Sequence, residues 1–309
     1  MEIITKRITE DGVTVRQVLR GELRFSARAV SRLKWTETGI LVNGERAFTN
    51  RVLRAGDVLR VETGDHRLPR APIRPGNWSL PVAWEDAHLL VVDKPAGMTA
   101  HAANFDPDSP TVAGALAWTR GAEFIFHPVN RLDRGTTGLM VVAKSGYIHD
   151  LLRRALHTPR FLREYRAVCV GCPSPPEGLV DAPIGRDESS LIARRIRPDG
   201  APSRTHYETL SSGNGFSLLR VTPETGRTHQ IRVHMASLGC PLAGDWLYGR
   251  EDPRISRPAL HACRICLEHP VTGERLDLTS PPPEDFRALA DTIGPDAAPE
   301  TRKGRNEKC

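Results

Sequence analysis

The stretch HPVNRLDRGTTGLMVVAKS, which runs from residue 127 to residue 145, most constrains how this 309-residue chain can fold. Its apolar end, Leu139 to Ala143, has the length of a buried strand and is short for a helix. The Gly-Thr-Thr-Gly ahead of that strand has the composition of a turn. Asp133 stands just before the turn, between Arg131 and Arg134. The sequence therefore predicts a carboxylate on a loop beside a rigid strand.

Two interpretations of Asp133 follow from its neighbours. It is either a loop carboxylate that is merely ion-paired, as exposed acids commonly are, or a catalytic carboxylate that Arg131 and Arg134 keep in its charged form. Two other stretches of the chain favour the catalytic interpretation.

The first of these stretches is REYRAV, at residues 163–168. Its alternation predicts a strand with Tyr165 and Ala167 on one face. Tyr165 fits a core aromatic whose hydroxyl reaches a polar partner. It also fits a site residue whose ring stacks on a nucleobase and whose hydroxyl exchanges a proton.

The second stretch is TGRTHQIRVH, at residues 225–234. A core segment rarely carries so many polar groups, because each needs a partner when it is buried. The spacing fits both a strand and the start of an amphipathic helix. We expect this stretch to recognise an anion and a ribose and to pair one arginine with an acid, with His234 as a structural histidine. The residues expected to make these contacts are Arg227, Thr228, His229 and Gln230.

The charge balance bears on the class of partner. The chain has a formal net charge of +6 and a sequence pI of about 9.2, which suggests a polyanionic ligand. Its start has no apolar signal core, and no stretch approaches the length of a membrane span. We therefore expect a cytoplasmic protein without a membrane partner, and a monomer, since no interface signature is evident.

The cysteines raise the question of a metal site. Cys169-x-x-Cys172 and Cys263-x-x-Cys266 resemble the halves of a zinc ribbon. The two pairs stand far apart in the sequence, however, and each lies in an apolar, strand-like context where free cysteine is a common core residue. We expect no metal, and no disulfide in a reducing compartment.

Composition divides the chain into four parts. Residues 1–64 are expected to form a small domain with two helices and a hairpin at Asn43-Gly44. Residues 65–81 form a proline-rich, basic linker. Residues 82–293 form the large domain, and the polar residues 294–309 form a disordered tail.

The small domain carries a basic helix face. Ser26 is a plausible N-cap for a helix over residues 27–35, on which Arg28 and Arg32 share the outer face with Lys34 nearby. These cations either form a solvated face or bind an RNA backbone. In the large domain, Lys94 precedes Pro-Ala-Gly and suits a turn that either holds a phosphate or fixes a loop.

Five motifs in order resemble the RluA-like family of pseudouridine synthases of the large-ribosomal-subunit type. They are VVDKPAGM at 91–98, NRLDRGTTGLMVVAKS at 130–145, REYRAV at 163–168, TGRTHQIRVHMASLGCPLAGDWLYG at 225–249, and LHA with HPVTGE at 260–274. The element order of residues 13–62, with ILVNGE followed by RAGDVLRV, resembles the S-four-type RNA-binding domain. Near the motif aspartate the chain departs from the common pattern at Asn130, Gly135 and Thr137, which flank the carboxylate and bear on substrate fit.

The resemblance implies an α+β fold: a catalytic domain with a mixed, mostly antiparallel sheet and a central cleft, preceded by a small α/β RNA-binding domain. It implies isomerisation of a uridine within RNA without cofactor or metal, with Asp133 as the catalytic aspartate, Tyr165 as the active-site tyrosine and Arg232 as the basic partner. Asp133 acts either as a nucleophile on the sugar or as a base that removes a ribose proton. Lys94, Arg131 and Arg134 are expected to add backbone contacts.

Ribosomal RNA is favoured over transfer RNA as the substrate, because of the leading domain. Three alternative hypotheses about the function stay open. The first is a non-catalytic RNA-binding or ribosome-assembly protein on the same fold, although such a protein would tend to lose Asp133 or Arg232. The second is a nucleoside N-glycosidase, which would need a group to activate water. The third is a zinc-ribbon protein.

Overall fold

The computed structural model describes residues 3–64, 73–102, 106, 108–121 and 124–294. Residues 3–64, here called the N-terminal unit, form a sheet in the order β1-β4-β2-β3, with antiparallel neighbours, and two helices. The elements are β1 (Ile3–Arg7), α1 (Val15–Arg20), α2 (Ala27–Leu33), β2 (Ile40–Val42), β3 (Glu45–Arg46) and β4 (Val58–Glu62).

Local sequence signals account for most of the N-terminal unit. The Ser26 side chain accepts from the Ala29 amide and caps α2. Asn43 and Gly44 have φ angles of 54° and 87°, which suits the tight turn between β2 and β3. Helix α2 ends at Leu33, two residues earlier than expected. Strand β1 is an addition to the expected hairpin.

The larger part of the chain is built on one sheet. Its elements are β5 (Val82–Glu85), β6 (Leu89–Lys94), α3 (Val112–Arg120), β7 (His127–Pro128), β8 (Thr137–Ala143), α4 (Gly146–Ala155), β9 (Phe161–Val170), β10 (Glu177–Asp181), β11 (Ile184–Arg186), β12 (Arg194–Ile196), β13 (Arg204–Gly213), β14 (Phe216–Pro223), α5 (Gln230–Ser237), β15 (Leu260–Glu268), β16 (Arg275–Thr279) and α6 (Glu284–Asp291).

The strands of this sheet follow the order β10-β13-β14-β9-β15-β8-β6-β5, with β16 beside β15 and β7 beside β8. Strands β15 and β8 pair in parallel, and the other pairings are antiparallel. The predicted α+β fold with a mixed, mostly antiparallel sheet is confirmed. The hairpin of β11 and β12 stands apart from this sheet.

Strand β8 lies inside the sheet, between β15 and β6, and its seven residues are all buried. Gly138 at its start has a φ of +105°, and a Cβ there would lie 2.3 Å from the Ala262 carbonyl oxygen. Only glycine allows the parallel strand to approach this closely. The turn that carries Asp133 is thereby fixed to a strand with little freedom to move.

The N-terminal unit packs against α4. The Phe25 and Tyr147 rings stack with centres 4.2 Å apart, and the Tyr147 hydroxyl donates to the Leu23 carbonyl at 2.8 Å. At the other end of α4, Arg154 donates to the Arg24 carbonyl at 2.9 Å. Apolar side chains of both parts form one continuous core cluster. This contact fixes the position of the unit relative to the large sheet.

Two predicted segments lie partly or wholly outside the described residues. The expected linker is described from residue 73 onward, where Ile73, Trp78 and Leu80 pack against the core beneath α3. The Gly76 amide also donates to the Gly114 carbonyl at 3.1 Å. Residues 73–80, the described end of the expected linker, are therefore packed against the core. The expected tail is described only at Gly294.

Among the described helices, none combines the length and apolarity needed to cross a bilayer.

Candidate active site

A cleft of about 490 Å³ opens beside the central strands. The loop before β8, strand β9 and the segment that begins α5 meet here. Asp133, Tyr165 and Arg232 all line the cleft, although they come from three distant parts of the sequence. The stretch at 225–234, whose spacing fitted both a strand and the start of a helix, is a loop followed by a helix, since α5 begins at Gln230.

Asp133 lies at the mouth of this cleft with its side chain 27% exposed. Its backbone carbonyl accepts from the Thr136 amide at 3.1 Å, which closes the turn that leads into β8. One carboxylate oxygen lies 3.9 Å from Nη1 of Arg232. The carboxylate is thus close to a cation without a tight hydrogen bond to it, and it stays open to the cleft.

A second acid, Asp245, determines the position of Arg232. Nε and Nη2 of Arg232 each donate to one oxygen of Asp245 at 2.7 Å, and the Asp245 side chain is fully buried. Burial works to lower the pKa of Arg232, but the hydrogen bonds and charge of Asp245, with the charge of Asp133, raise it above the ordinary value. Because Asp245 uses two nitrogens of the fork, the third is left toward Asp133.

The sequence reasoning expected an acid to pair with an arginine but did not identify Asp245. Its position in the turn-rich segment after α5 was the available signal. Asp245 also accepts from the Leu247 and Tyr248 amides, at 3.2 Å and 3.3 Å, so the same carboxylate shapes that turn.

Tyr165 lines the cleft from strand β9. It is 6% exposed and shares a buried face with Ala167, as the alternation predicted. Burial raises the pKa of Tyr165, although the charge of Arg163 opposes this. The phenol is therefore protonated at neutral pH, and its ring offers an apolar surface to a bound base.

Arg163 was not predicted as a site residue, yet it also lines the cleft. Its Nη2 donates to the Pro223 carbonyl at 3.1 Å and to the Thr225 carbonyl at 3.4 Å. Arg163 therefore connects β9 to the loop that precedes α5.

His229 occupies a strained position at the start of α5. Its φ of 58° is left-handed, which is uncommon for a residue other than glycine. Nδ1 of His229 lies 2.8 Å from the Tyr248 hydroxyl, which accepts from the Arg194 amide at 2.8 Å. Burial lowers the pKa of His229, so its ring is neutral at pH 7.

Tyr248 is a further residue that the sequence reasoning missed. Its ring centre lies 4.9 Å from the Arg232 guanidinium, while its hydroxyl contacts His229. One side chain therefore contacts two cleft residues and, through Arg194, the hairpin of β11 and β12.

The expectation that Lys94 binds RNA phosphates is corrected by its position. Lys94 is fully buried, and Nζ donates to the Pro95 and Met98 carbonyls at 2.8 Å and to the Arg134 carbonyl at 3.4 Å. Burial lowers its pKa to about 7. Of the two uses proposed for this lysine, fixing a loop is the one observed: Lys94 ties the 95–98 turn to the residue after Asp133.

Gln230 is likewise a structural residue. Its side-chain oxygen accepts from the Thr225 hydroxyl at 2.7 Å and from the Arg227 amide at 3.0 Å. Its side-chain nitrogen donates to the Arg204 carbonyl and the Thr205 hydroxyl, each at 2.9 Å. With these contacts made and the residue buried, the expected RNA contact is corrected. Gln230 shapes the loop that precedes the helix.

The remaining predicted residues of this loop stay at the cleft. Thr228 and His229 are half-buried, and Arg227 is exposed, with Nε donating to the Pro202 carbonyl at 3.2 Å. His234 is fully buried, with Nδ1 2.8 Å from the Thr205 hydroxyl and Nε2 3.0 Å from the Ala182 carbonyl. It is a structural histidine, as expected.

The two arginines that flank Asp133 differ from expectation. Arg131 and Arg134 are both exposed at the cleft. Arg134 pairs with Asp106, with Nη1 3.0 Å from the carboxylate, and Nε donates to the Gly97 carbonyl at 3.2 Å. The cation observed in an ion pair with Asp133 is Arg232, the basic partner that the resemblance implied, and neither of the two arginines that flank Asp133 in the sequence.

The predicted residues of the N-terminal unit do not line the cleft. Arg28 and Arg32 are exposed on the outer face of α2, and Lys34 is half-buried just after it. In the part of the chain that is described, no group of three or more His, Cys, Asp or Glu residues has the arrangement of a metal site. Cys169, Cys172, Cys263 and Cys266 are free thiols.

Similarity to known proteins bears on the chemistry of this cleft. Residues 88–237 match the family described as RNA pseudouridylate synthase. The chain is 36% identical over 271 residues to the uncharacterized RNA pseudouridine synthase YjbO of Bacillus subtilis (strain 168), which covers 87% of this chain and 95% of that protein. The chain belongs to the RNA pseudouridylate synthase family. The resemblance drawn from its motifs is confirmed.

Other members of this family extend the comparison. The chain is 36% identical over 282 residues to ribosomal large subunit pseudouridine synthase D of Nitrosomonas europaea, across 85% of this chain and 80% of that protein. The solved structure of human RNA pseudouridylate synthase domain containing 4 superimposes with a TM-score of 0.56 at 25% identity. It covers 69% of this chain and 92% of that one.

Proposed function

We propose that this chain isomerises a uridine of large-subunit ribosomal RNA to pseudouridine, with Asp133 as the catalytic carboxylate. One observation carries the proposal. A half-buried Asp133 faces Arg232 at 3.9 Å in the cleft of a member of this family, and Arg232 is itself held by the fully buried Asp245. Tyr165 lies on the same cleft.

The reaction exchanges one bond for another. The bond from ribose carbon 1′ to uracil nitrogen 1 breaks, and a bond from carbon 1′ to uracil carbon 5 forms. The proton on carbon 5 leaves, and nitrogen 1 gains a proton, so the isomerisation is balanced without oxidant, reductant or energy source.

In this proposal each of the three residues has a separate part. Asp133, beside Arg232, reacts with the sugar, either by attack at carbon 1′ or by removing a ribose proton. The Tyr165 ring stacks on the uracil while it is detached, and the hydroxyl relays the carbon 5 proton. The Arg232 side chain is 7% exposed, and this burial strengthens its field on Asp133.

Deuterium at the ribose carbon that would lose its proton distinguishes the two roles proposed for Asp133, attack at carbon 1′ and removal of that proton. Removal of a ribose proton in a slow step gives a primary isotope effect on the rate. Attack at carbon 1′ leaves that rate nearly unchanged.

The target uridine must leave its stack to enter the cleft, which costs a few kcal/mol. In our proposal Arg131, Arg227 and the basic face of α2 offset this cost by binding phosphates. Arg131 and Arg227 are exposed at the cleft, and Arg28 and Arg32 are exposed on α2. Residues 3–64 then act as an RNA-binding domain ahead of the catalytic domain.

The preference for ribosomal RNA is supported by the relatives. Ribosomal large subunit pseudouridine synthase D of Nitrosomonas europaea aligns with 85% of this chain. The monomeric state and cytoplasmic location expected from the sequence stay proposals as well. Light scattering on the purified protein and fractionation of cells would test them.

The test of the proposed function is release of tritium from RNA labelled at uracil carbon 5. We would compare unmodified large-subunit ribosomal RNA with bulk transfer RNA. Release from the ribosomal pool alone is the expected result. Release from transfer RNA alone would overturn the proposal that ribosomal RNA is the substrate. Release from neither RNA would overturn the proposed isomerisation of uridines in these two RNAs.

A further inference from the structure

Two aromatic side chains are exposed on the N-terminal unit. Trp35 is 75% exposed, and Phe48 is 57% exposed. Single exposed apolar residues are common on proteins. A pair of aromatic rings beside cations on a basic unit is less ordinary, because each ring leaves a large apolar face in water.

Contacts join these two rings into one surface. Nζ of Lys34 lies 5.1 Å from the centre of the Trp35 ring, and the Arg46 guanidinium carbon lies 5.5 Å from the centre of the Phe48 ring. Arg46 also donates from Nη2 to the Lys34 carbonyl at 3.2 Å. We call these four residues, Lys34, Trp35, Arg46 and Phe48, the aromatic–basic patch.

The fold explains why the rings of this patch point outward. Helix α2 buries Ala29, Val30 and Leu33, and its next residues turn away from the core. Trp35 follows that turn, and Phe48 follows the short strand β3. The arginines of the exposed α2 face lead into the patch, since Arg32 lies only three residues before Trp35.

The charge of the unit indicates the kind of partner. Residues 1–64 contain twelve Lys and Arg against eight Asp and Glu, a net charge of +4 out of +6 for the whole chain. The acids nearest the patch in sequence are Glu37 and Glu45, both exposed, and they do not outnumber its cations. A polyanion with flat apolar rings matches this combination better than an apolar protein surface does.

We propose that the aromatic–basic patch is a stacking platform for unpaired RNA bases, which extends the phosphate contacts of Arg28 and Arg32 along a single strand. The inference rests on the proposed function, in which RNA is the substrate. Bases of a duplex hide their faces in the helix stack, whereas unpaired bases present them. Cations over the rings place positive charge where the adjoining phosphates lie.

Because the N-terminal unit is fixed near the cleft, the RNA strand that stacks on the patch belongs to the same molecule as the target uridine. The Phe25–Tyr147 stack holds the unit against α4, and His157, just after α4, lines the catalytic cleft. A platform fixed to that helix is held at a set position relative to Asp133. It therefore selects targets with an unpaired stretch at a fixed distance from the uridine that enters the cleft.

The test measures binding by the full-length protein with the residues of the platform changed. Trp35→Ala and Phe48→Ala would be compared with Trp118→Ala, an exposed control on α3 outside the patch. The probes are a short fluorescein-labelled oligouridylate and an RNA duplex of equal length, read by anisotropy. Stacking contributes about 1–3 kcal/mol per base, so each patch variant should bind the oligouridylate at least roughly fivefold more weakly.

Three further results are expected if the platform exists. Duplex affinity changes little, Trp118→Ala binds both probes like the wild type, and the salt dependence of oligouridylate binding keeps its slope, because stacking releases no counterions. Arg28→Ala with Arg32→Ala is the contrast: it should lower that slope. Equal losses on both probes, or no loss with Trp35→Ala and Phe48→Ala, would overturn the platform, and the second outcome would leave a protein partner as the occupant.

Tritium release separates this inference from the proposed function. The wild type and Trp35→Ala should reach the same kcat on ribosomal RNA, with a lower kcat/KM in the variant. A wild type that releases tritium beside a Trp35→Ala variant with unchanged kcat/KM overturns the platform only. A wild type without turnover on any RNA overturns the proposed function, whatever the oligouridylate binding shows.

Discussion

The Asp245→Asn substitution probes how Arg232 is held beside Asp133, the carboxylate that we propose to be catalytic. Asn has the shape of Asp but places an N–H group where one carboxylate oxygen stood. That oxygen accepts from Arg232 at 2.7 Å, so two donors would face each other in a site whose two side chains are 7% and 0% exposed. With the charge of Asp245 removed, Asp133 would become the nearest anion to the buried guanidinium.

The size of the effect follows from burial. Removing one partner of a buried ion pair costs about 3–5 kcal/mol, and an asparagine that keeps one hydrogen bond should cost about 3 kcal/mol. The guanidinium is also free to close the 3.9 Å gap to Asp133 and bind it directly. A tightly paired carboxylate is displaced from its reacting position, so kcat should fall roughly 100-fold, with a smaller change in KM.

Urea unfolding and tritium release on the same preparations measure both effects. The matched control is Asp277→Asn, because Asp277 binds Arg264 with the same two-point geometry, at 2.7 Å and 2.6 Å. Those side chains are 42% and 33% exposed, so the control should lose no more than about 1 kcal/mol. Equal stability losses in the two variants, or an Asp245→Asn protein with wild-type kcat, would refute the reasoning.

Two further substitutions test the structure around the turn that carries Asp133. Gly138→Ala, at a φ of +105° with a carbonyl oxygen 2.3 Å from the new Cβ, should cost more than about 3 kcal/mol. Gly12→Ala, at a φ of +85° with open space around it, should cost about 1–2 kcal/mol in urea unfolding; equal costs would contradict the close approach of the strands. Lys94 has a pKa lowered to about 7, below the value of about 10.4 in an unfolded chain. The unfolded state therefore binds more protons between these values, and stability should rise with pH across that window. The Lys94→Met variant should not show this rise in stability. A variant whose stability depends on pH as the wild type does would contradict the assignment of the rise to Lys94.

The sequence was most informative where a short segment determines its own structure. The Ser26 cap and the Asn43-Gly44 turn form as predicted, because each is set by contacts within a few residues. The strand after Asp133 was also predictable, since an apolar run bounded by turn residues is buried in nearly any arrangement. Tyr165 and Ala167 share a buried face for the same local reason.

Long-range pairing was beyond the reach of the sequence. Nothing near Asp245 in the chain shows that it, rather than another acid, binds Arg232, because the pairing depends on where α5 ends and the next turn returns. Lys94 and Gln230 are polar residues that usually lie at surfaces. Here the topology buries each of them among backbone carbonyls, amides and hydroxyls that satisfy its side chain.

Strand β1 shows a different limit. Its burial alternates between exposed and half-buried positions, and among the described strands it pairs with β4 alone. Such an edge strand carries a weak apolar signal, so local pattern alone did not mark it. Its place is set by the sheet of the N-terminal unit.

The most direct test of the central claim is tritium release by Asp133→Asn with ribosomal RNA labelled at uracil carbon 5, measured beside RNA binding. The substitution keeps the shape of the side chain and removes the charge that, in our proposal, reacts with the sugar. We predict no release above background, with RNA binding within about a factor of three of the wild type. Turnover near the wild-type rate would contradict a catalytic role for Asp133, and with it our account of the cleft.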